Sequence, residues 1–127
     1  MHIKQLISRY EVMSQKGTVP FIEETVYLDM IDRCDTDGKN RLALRIVEEG
    51  ITQHPFSAEL YLRKAHLLLG RHKITESLVT IEQAEIFAPQ HVNVRLLHAE
   101  LLALRGDNTE ALAILDDLKP DVGREDR

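Results

Sequence analysis

Six histidines and one cysteine are the side chains in this sequence best suited to ligate a metal or attack a substrate. The histidines are His2, His54, His66, His72, His91 and His98. They contain no H-x3-H pair, and no H-E-x-x-H occurs. His91 and His98 stand two helical turns apart, too far to share one metal without other ligands. "DTDG" at 35–38 has the opening of an EF-hand calcium loop, which needs a glutamate at its twelfth place. Counted from Asp35, that place holds Ile46, so the loop fails. A helix-capping turn with Gly38 at positive φ is the better reading. Walker, dinucleotide-binding and G-x-S-x-G sequences do not occur. These patterns suggest no enzyme and imply no cofactor or metal.

The bulk composition narrows the class. The 127 residues suit one domain, with 43% apolar and 29% charged residues. Aromatics are only 5%, so leucine, isoleucine and alanine must fill the core, which favours helices over a β-sandwich. A formal charge of -5 argues against a nucleic-acid or anionic-membrane surface. Cys34 has no internal disulfide partner, which fits a reducing compartment. The N-terminus lacks the apolar stretch of a signal peptide, and no apolar run is long enough to span a membrane. A cytoplasmic protein with no membrane span is expected.

Glycine and proline divide the chain into segments of helical length. Apolar residues inside the segments recur every three or four positions, as in a helix, and seldom alternate as in a strand. Ser57 should cap one segment and Thr75 the next. Short polar connectors such as "DGKN" and "RGDN" suit antiparallel helices. With a first helix near residues 3–15, the count is seven helices and no strands.

The segments repeat. The interval from Pro55 to Pro89 recurs along the chain, and it falls in the range of helical-repeat periods. A shift of that length aligns Tyr27 with Tyr61, and Leu28 with Leu62 and Leu96. It aligns Ile31 with Ala65 and Ala99, and Cys34 with Leu68 and Leu102. It also aligns Ala43, Ser77 and Ala111; Leu44, Leu78 and Leu112; and Val47, Ile81 and Leu115. The small residues suit close helix crossings, and the larger ones fill the seams. Three copies follow, at 24–57, 58–91 and 92–125, within a body spanning 22–118. Residues 1–21 form a helix and linker, and 119–127 a flexible tail.

At these positions the sequence resembles the tetratricopeptide repeat (TPR) family, whose pattern is W-x2-L-G-x2-Y, then A-x3-F, then P. The middle copy carries it best, in Tyr61, Ala65, Leu68, Ser77, Ile81 and Pro89. Arg95 departs from it in the third copy, as does Gly123 where a proline would recur. The resemblance implies an all-α, right-handed solenoid of stacked antiparallel helix pairs. It also implies function on a concave face lined by the first helix of each pair. The slots implied to face the groove hold Thr25, Leu28, Asp32 and Asp35, then Glu59, Leu62, His66 and Leu69, then Asn93, Leu96, Glu100 and Ala103.

Leu28, Leu62 and Leu96 would form an apolar rail. Asp32, His66 and Glu100 would form a polar one, bordered by Arg63. Equivalent residues on successive repeats lie on the order of 10 Å apart at ordinary helix packing distances, so the polar rail is no catalytic set. A non-catalytic interaction module is expected, gripping a peptide or partner protein with apolar contacts and carboxylates and preferring Lys or Arg. The slots that clamp chaperone tails in some relatives hold Leu28, Asp32, Arg63, Asn93 and Leu97, mostly the wrong types. Alternatively, the N-terminal stripe of Ile3, Leu6, Ile7 and Tyr10 covers the leucine rail.

A second expectation concerns the end of the stack. Leu44 and Leu78 should each be covered by the following repeat, but no further helix pair follows Leu112. "KPDVGREDR" looks too short and too charged to form a capping helix. Leu112 should therefore mark an exposed patch for self-association, as in a homo-oligomeric structural subunit or a piece of a longer array.

Overall fold

The computed structural model describes the backbone of residues 2–125 and the side chains of residues 2–118. Among these residues there are seven helices and no strands. The helices are α1 (Ile3–Lys16), α2 (Glu24–Thr36), α3 (Asn40–Gln53), α4 (Ala58–Gly70), α5 (Ile74–Phe87), α6 (Val92–Arg105) and α7 (Asn108–Glu125). Each packs on the next, and α2 also touches α4, as α4 touches α6.

The repeat is visible in the backbone. Glu24, Ala58 and Val92 begin the first helix of each pair, and Asn40, Ile74 and Asn108 begin the second, both sets at the interval that separates Pro55 from Pro89. The turns within the pairs close alike. The N–H groups of Lys39, Lys73 and Asp107 donate to the carbonyls of Cys34, Leu68 and Leu102 at 2.8, 3.0 and 2.8 Å. Each turn requires one residue in the left-handed region. Gly38 (φ 75°) and Gly106 (φ 98°) supply it in the outer copies, and His72 (φ 60°) in the middle one. Glycine adopts this conformation without a Cβ clash, and histidine does not.

Two apolar clusters share α4. Leu60 and Leu67 join Tyr27, Met30, Ile31, Ile46 and Val47 of the first pair. Leu62 and Ala65 join Leu78 and Ile81 of α5 and Val94, Leu97 and Leu101 of α6. Small residues permit the α4–α5 crossing. Ser77 is fully buried, and its hydroxyl donates to the Ala65 carbonyl at 2.7 Å. Ser57 caps α4 as expected, accepting from Leu60 N at 3.2 Å. Lys73, not Thr75, stands at the N-cap of α5, without a side-chain bond.

The N-terminal helix lies on α2. Ile7 and Tyr10 are buried in the first cluster, Ile3 and Leu6 pack against it, and the Tyr10 hydroxyl donates to Arg45 O at 3.2 Å. Residues at the end of α3 hold the linker to α2. The Gln53 amide accepts from Ile22 N at 2.8 Å and donates to Pro20 O at 2.9 Å, and His54 Nε2 donates to Ile22 O at 2.7 Å. Helix α7 continues past Leu118 to Glu125. Its segment 119–125 is therefore helical backbone, and residues 126–127 lie outside the described part.

Two measurements test these features. His72→Gly is expected to stabilise the fold by about 0.5–1 kcal/mol in urea denaturation, because relief of the left-handed strain exceeds glycine's entropy cost. The second concerns Tyr27, whose hydroxyl is buried without a partner among the described residues. Burial, then the charge of Glu49, raises its pKa from the ordinary 10.0. The unfolded chain therefore ionises first, and stability falls as pH rises above about 10. Tyr27→Phe should weaken that alkaline loss, read as Tm against pH.

Candidate functional site

The first helices α2, α4 and α6 sit side by side, and a chain of polar contacts crosses all three. Arg63 is its centre. It projects from α4 and grips Asp32 of α2 with two nitrogens, Nε to Oδ1 at 2.8 Å and Nη2 to Oδ2 at 3.3 Å. This is the two-pronged geometry that a guanidinium makes best with a carboxylate. Its Nη1 donates to Glu59 Oε2 at 3.2 Å, one turn back on α4. The other Glu59 oxygen accepts from His91 Nε2 at 2.7 Å.

His91 has a second task. It is the N-cap of α6, where Nδ1 accepts from Val94 N at 3.4 Å. An accepting Nδ1 leaves Nε2 to carry the proton, so the contact to Glu59 is a donation from the ring. The chain Asp32–Arg63–Glu59–His91 thus ties three successive first helices together along one face. Partial burial by itself pulls the Arg63 pKa down. The hydrogen bond and charge of Asp32, helped by Glu59, outweigh it and hold the pKa above its ordinary value. Arg63 is therefore a permanent cation flanked by two carboxylates.

The expected groove residues separate into three groups. Asp32, His66, Asn93, Leu96 and Glu100 are exposed on this face, and Leu28, Arg63 and Leu69 are half-buried. Leu62 differs, being buried in the second cluster among α5 and α6 side chains. The next pair of helices closes over it, so it is floor rather than contact surface. The trio Asp32, His66 and Glu100 is not linked by hydrogen bonds among the described residues, because Asp32 bonds Arg63 instead. Among the described residues, no three His, Cys, Asp or Glu side chains are grouped as metal ligands would be. Cys34 is buried, and burial pushes its thiol pKa up, the opposite of what a nucleophile needs. No helix among the described residues is long and apolar enough to cross a membrane.

Sequence reasoning missed the roles of Glu59 and His91. One signal was present, since His91 occupies the repeat position of the cap Ser57. A residue at a capping position has its backbone fixed and its side chain directed at the helix start. The contact with Glu59 depends on how two repeats stack, which no local pattern encodes.

Neither the protein-family models nor the curated proteins give a match to this chain.

Arg63 and its partners are partly open to water, with side chains 29% exposed for Arg63, 53% for Asp32 and 40% for Glu59. Such pairs contribute little to folding, on the order of 0–1 kcal/mol. Arg63→Met should accordingly shift the urea midpoint by less than the equivalent of about 1 kcal/mol. A loss of several kcal/mol would mark the chain as a structural element instead of a recognition surface.

Proposed function

We propose that this protein is a TPR-like, right-handed solenoid of three helix pairs that works without catalysis. It binds a partner protein or peptide along the concave face formed by α2, α4 and α6. The observation that carries the reading is the Asp32–Arg63–Glu59–His91 chain on that face, beside exposed Glu100 and Asp35. A face with four carboxylates and one arginine selects Lys or Arg in its partner. Half-buried Leu28 and Leu69, with exposed Leu96, offer apolar contacts between the charges. The position of α1 supports an open face, because its apolar stripe is used on the first pair. A lone buried cysteine fits action in the cytoplasm.

The alternative is a structural subunit that self-associates through its last helix pair, favoured by the exposure of Leu112 and Leu115.

Selection from a random peptide library tests the main reading. Enriched peptides should interleave Lys or Arg with apolar residues. Their affinity should fall at least about tenfold, about 1.4 kcal/mol, in an Asp32→Lys, Asp35→Lys double variant that remains folded. Peptides without a charge preference, or with affinity indifferent to this variant, would contradict it.

A further inference from the structure

The last helix pair displays in the open what the earlier pairs bury. Leu62 is 3% exposed, and Leu96, its equivalent in the next copy, is 44% exposed. Leu78 and Ile81 of α5 are 3% and 0% exposed, and their equivalents Leu112 and Leu115 of α7 are 59% and 41%. Inside the molecule, Leu78 and Ile81 share a cluster with Val94, Leu97 and Leu101 of the following helix, α6. The surface made by α6 and α7 therefore repeats one that receives a helix in the preceding copy.

An acid-to-base contact recurs at the same joints. Glu48 of α3 meets Lys64 of α4 at 2.7 Å. One repeat later, Glu82 of α5 faces His98 of α6 at 4.0 Å, and His98 also contacts Glu85 at 2.9 Å. In both received helices the base lies four positions after an apolar side chain and three before another. These are Leu60, Lys64 and Leu67 in α4, and Val94, His98 and Leu101 in α6. Asp116 is the repeat equivalent of Glu82, exposed on α7. The slot thus offers a carboxylate beside large aliphatic side chains, as the two internal joints do with Leu44 and Val47 and with Leu78 and Ile81.

We propose that the α6–α7 end face binds a helix of a partner protein that carries an apolar residue, a Lys, Arg or His four positions later, and a second apolar residue three positions after that. The helix lies against α7 as α6 lies against α5. Its apolar pair covers Leu112 and Leu115, and its base meets Asp116. Charge argues against a second copy paired about a twofold axis. Glu110 and Asp116 are exposed around the leucines, and such pairing would bring acid against acid. This proposal is independent of the α2–α4–α6 groove.

The probe is a synthetic alanine-based helical peptide with leucine, lysine and leucine at that spacing, followed by fluorescence anisotropy. Controls carry glutamate for the lysine, or move the second leucine by two positions. Binding to the 127-residue chain is expected, weakened at least tenfold by either control. An Asp116→Lys variant should prefer the glutamate peptide, a reversal that loss of folding cannot produce. Leu112→Asp with Leu115→Asp should abolish binding while far-ultraviolet circular dichroism is unchanged. Asp32→Lys should leave it intact, which separates this face from the groove. Equal affinity for all peptides, or no preference reversal, overturns the proposal. So does a sedimenting dimer that Leu112→Asp dissociates and the peptide does not.

Discussion

Helix α4 must satisfy two cores at once, and the stack depends on its doing so. One stripe, Leu60 and Leu67, closes the first cluster. A second, Leu62 and Ala65, opens the next. A helix buried on two sides has only a narrow strip left for water, and here Glu59, Arg63 and His66 occupy it. The crossing with α5 is possible because Ala65 faces Ser77, whose hydroxyl bonds the Ala65 carbonyl instead of adding bulk. One helix pair cannot bury both of its faces, so stability must be built across neighbours. The charged chain on the open strip then inherits its geometry from the stacking. Arg63 reaches backward to α2, and Glu59 reaches forward to the cap of α6.

On the proposed reading this polar face recognises a partner, and its side chains are already engaged with one another. Arg63 donates to two carboxylates, and the His91 ring has one nitrogen on a backbone amide and the other on Glu59. The carboxylates nevertheless stay partly exposed, so an incoming cation can compete for them. The proposed end face would work by a different principle, since its leucines repeat a surface that already receives a helix once in the molecule.

Much of the architecture was legible in the sequence because a repeat constrains every copy at once. Helix number, the close crossings at Ala65 and Ser77, the glycine turn at Gly38 and the exposure of Leu112 all follow from register. The exceptions have identifiable causes. Leu62 sits in a groove slot by register, yet the next pair covers it, because helix stacking decides burial there. Thr75 looks like a cap, but the helix begins too early for its hydroxyl to reach the first amides. His72 in a left-handed turn has no local signature, since its neighbours show glycine in that slot. The acid–base joints at Glu48–Lys64 and Glu82–His98 each link two different helices, and only packing reveals them.

The central claim is that the α2–α4–α6 face receives a basic partner. Backbone amide shifts recorded during titration with a selected Lys- or Arg-containing peptide test it most directly. The largest changes are expected at Asp32, Asp35, Glu59, Arg63, His66 and Leu69, with α1 and the second helices α3 and α5 unmoved. Changes concentrated on α3 and α5, or none on α2 and α4 at saturation, would contradict it.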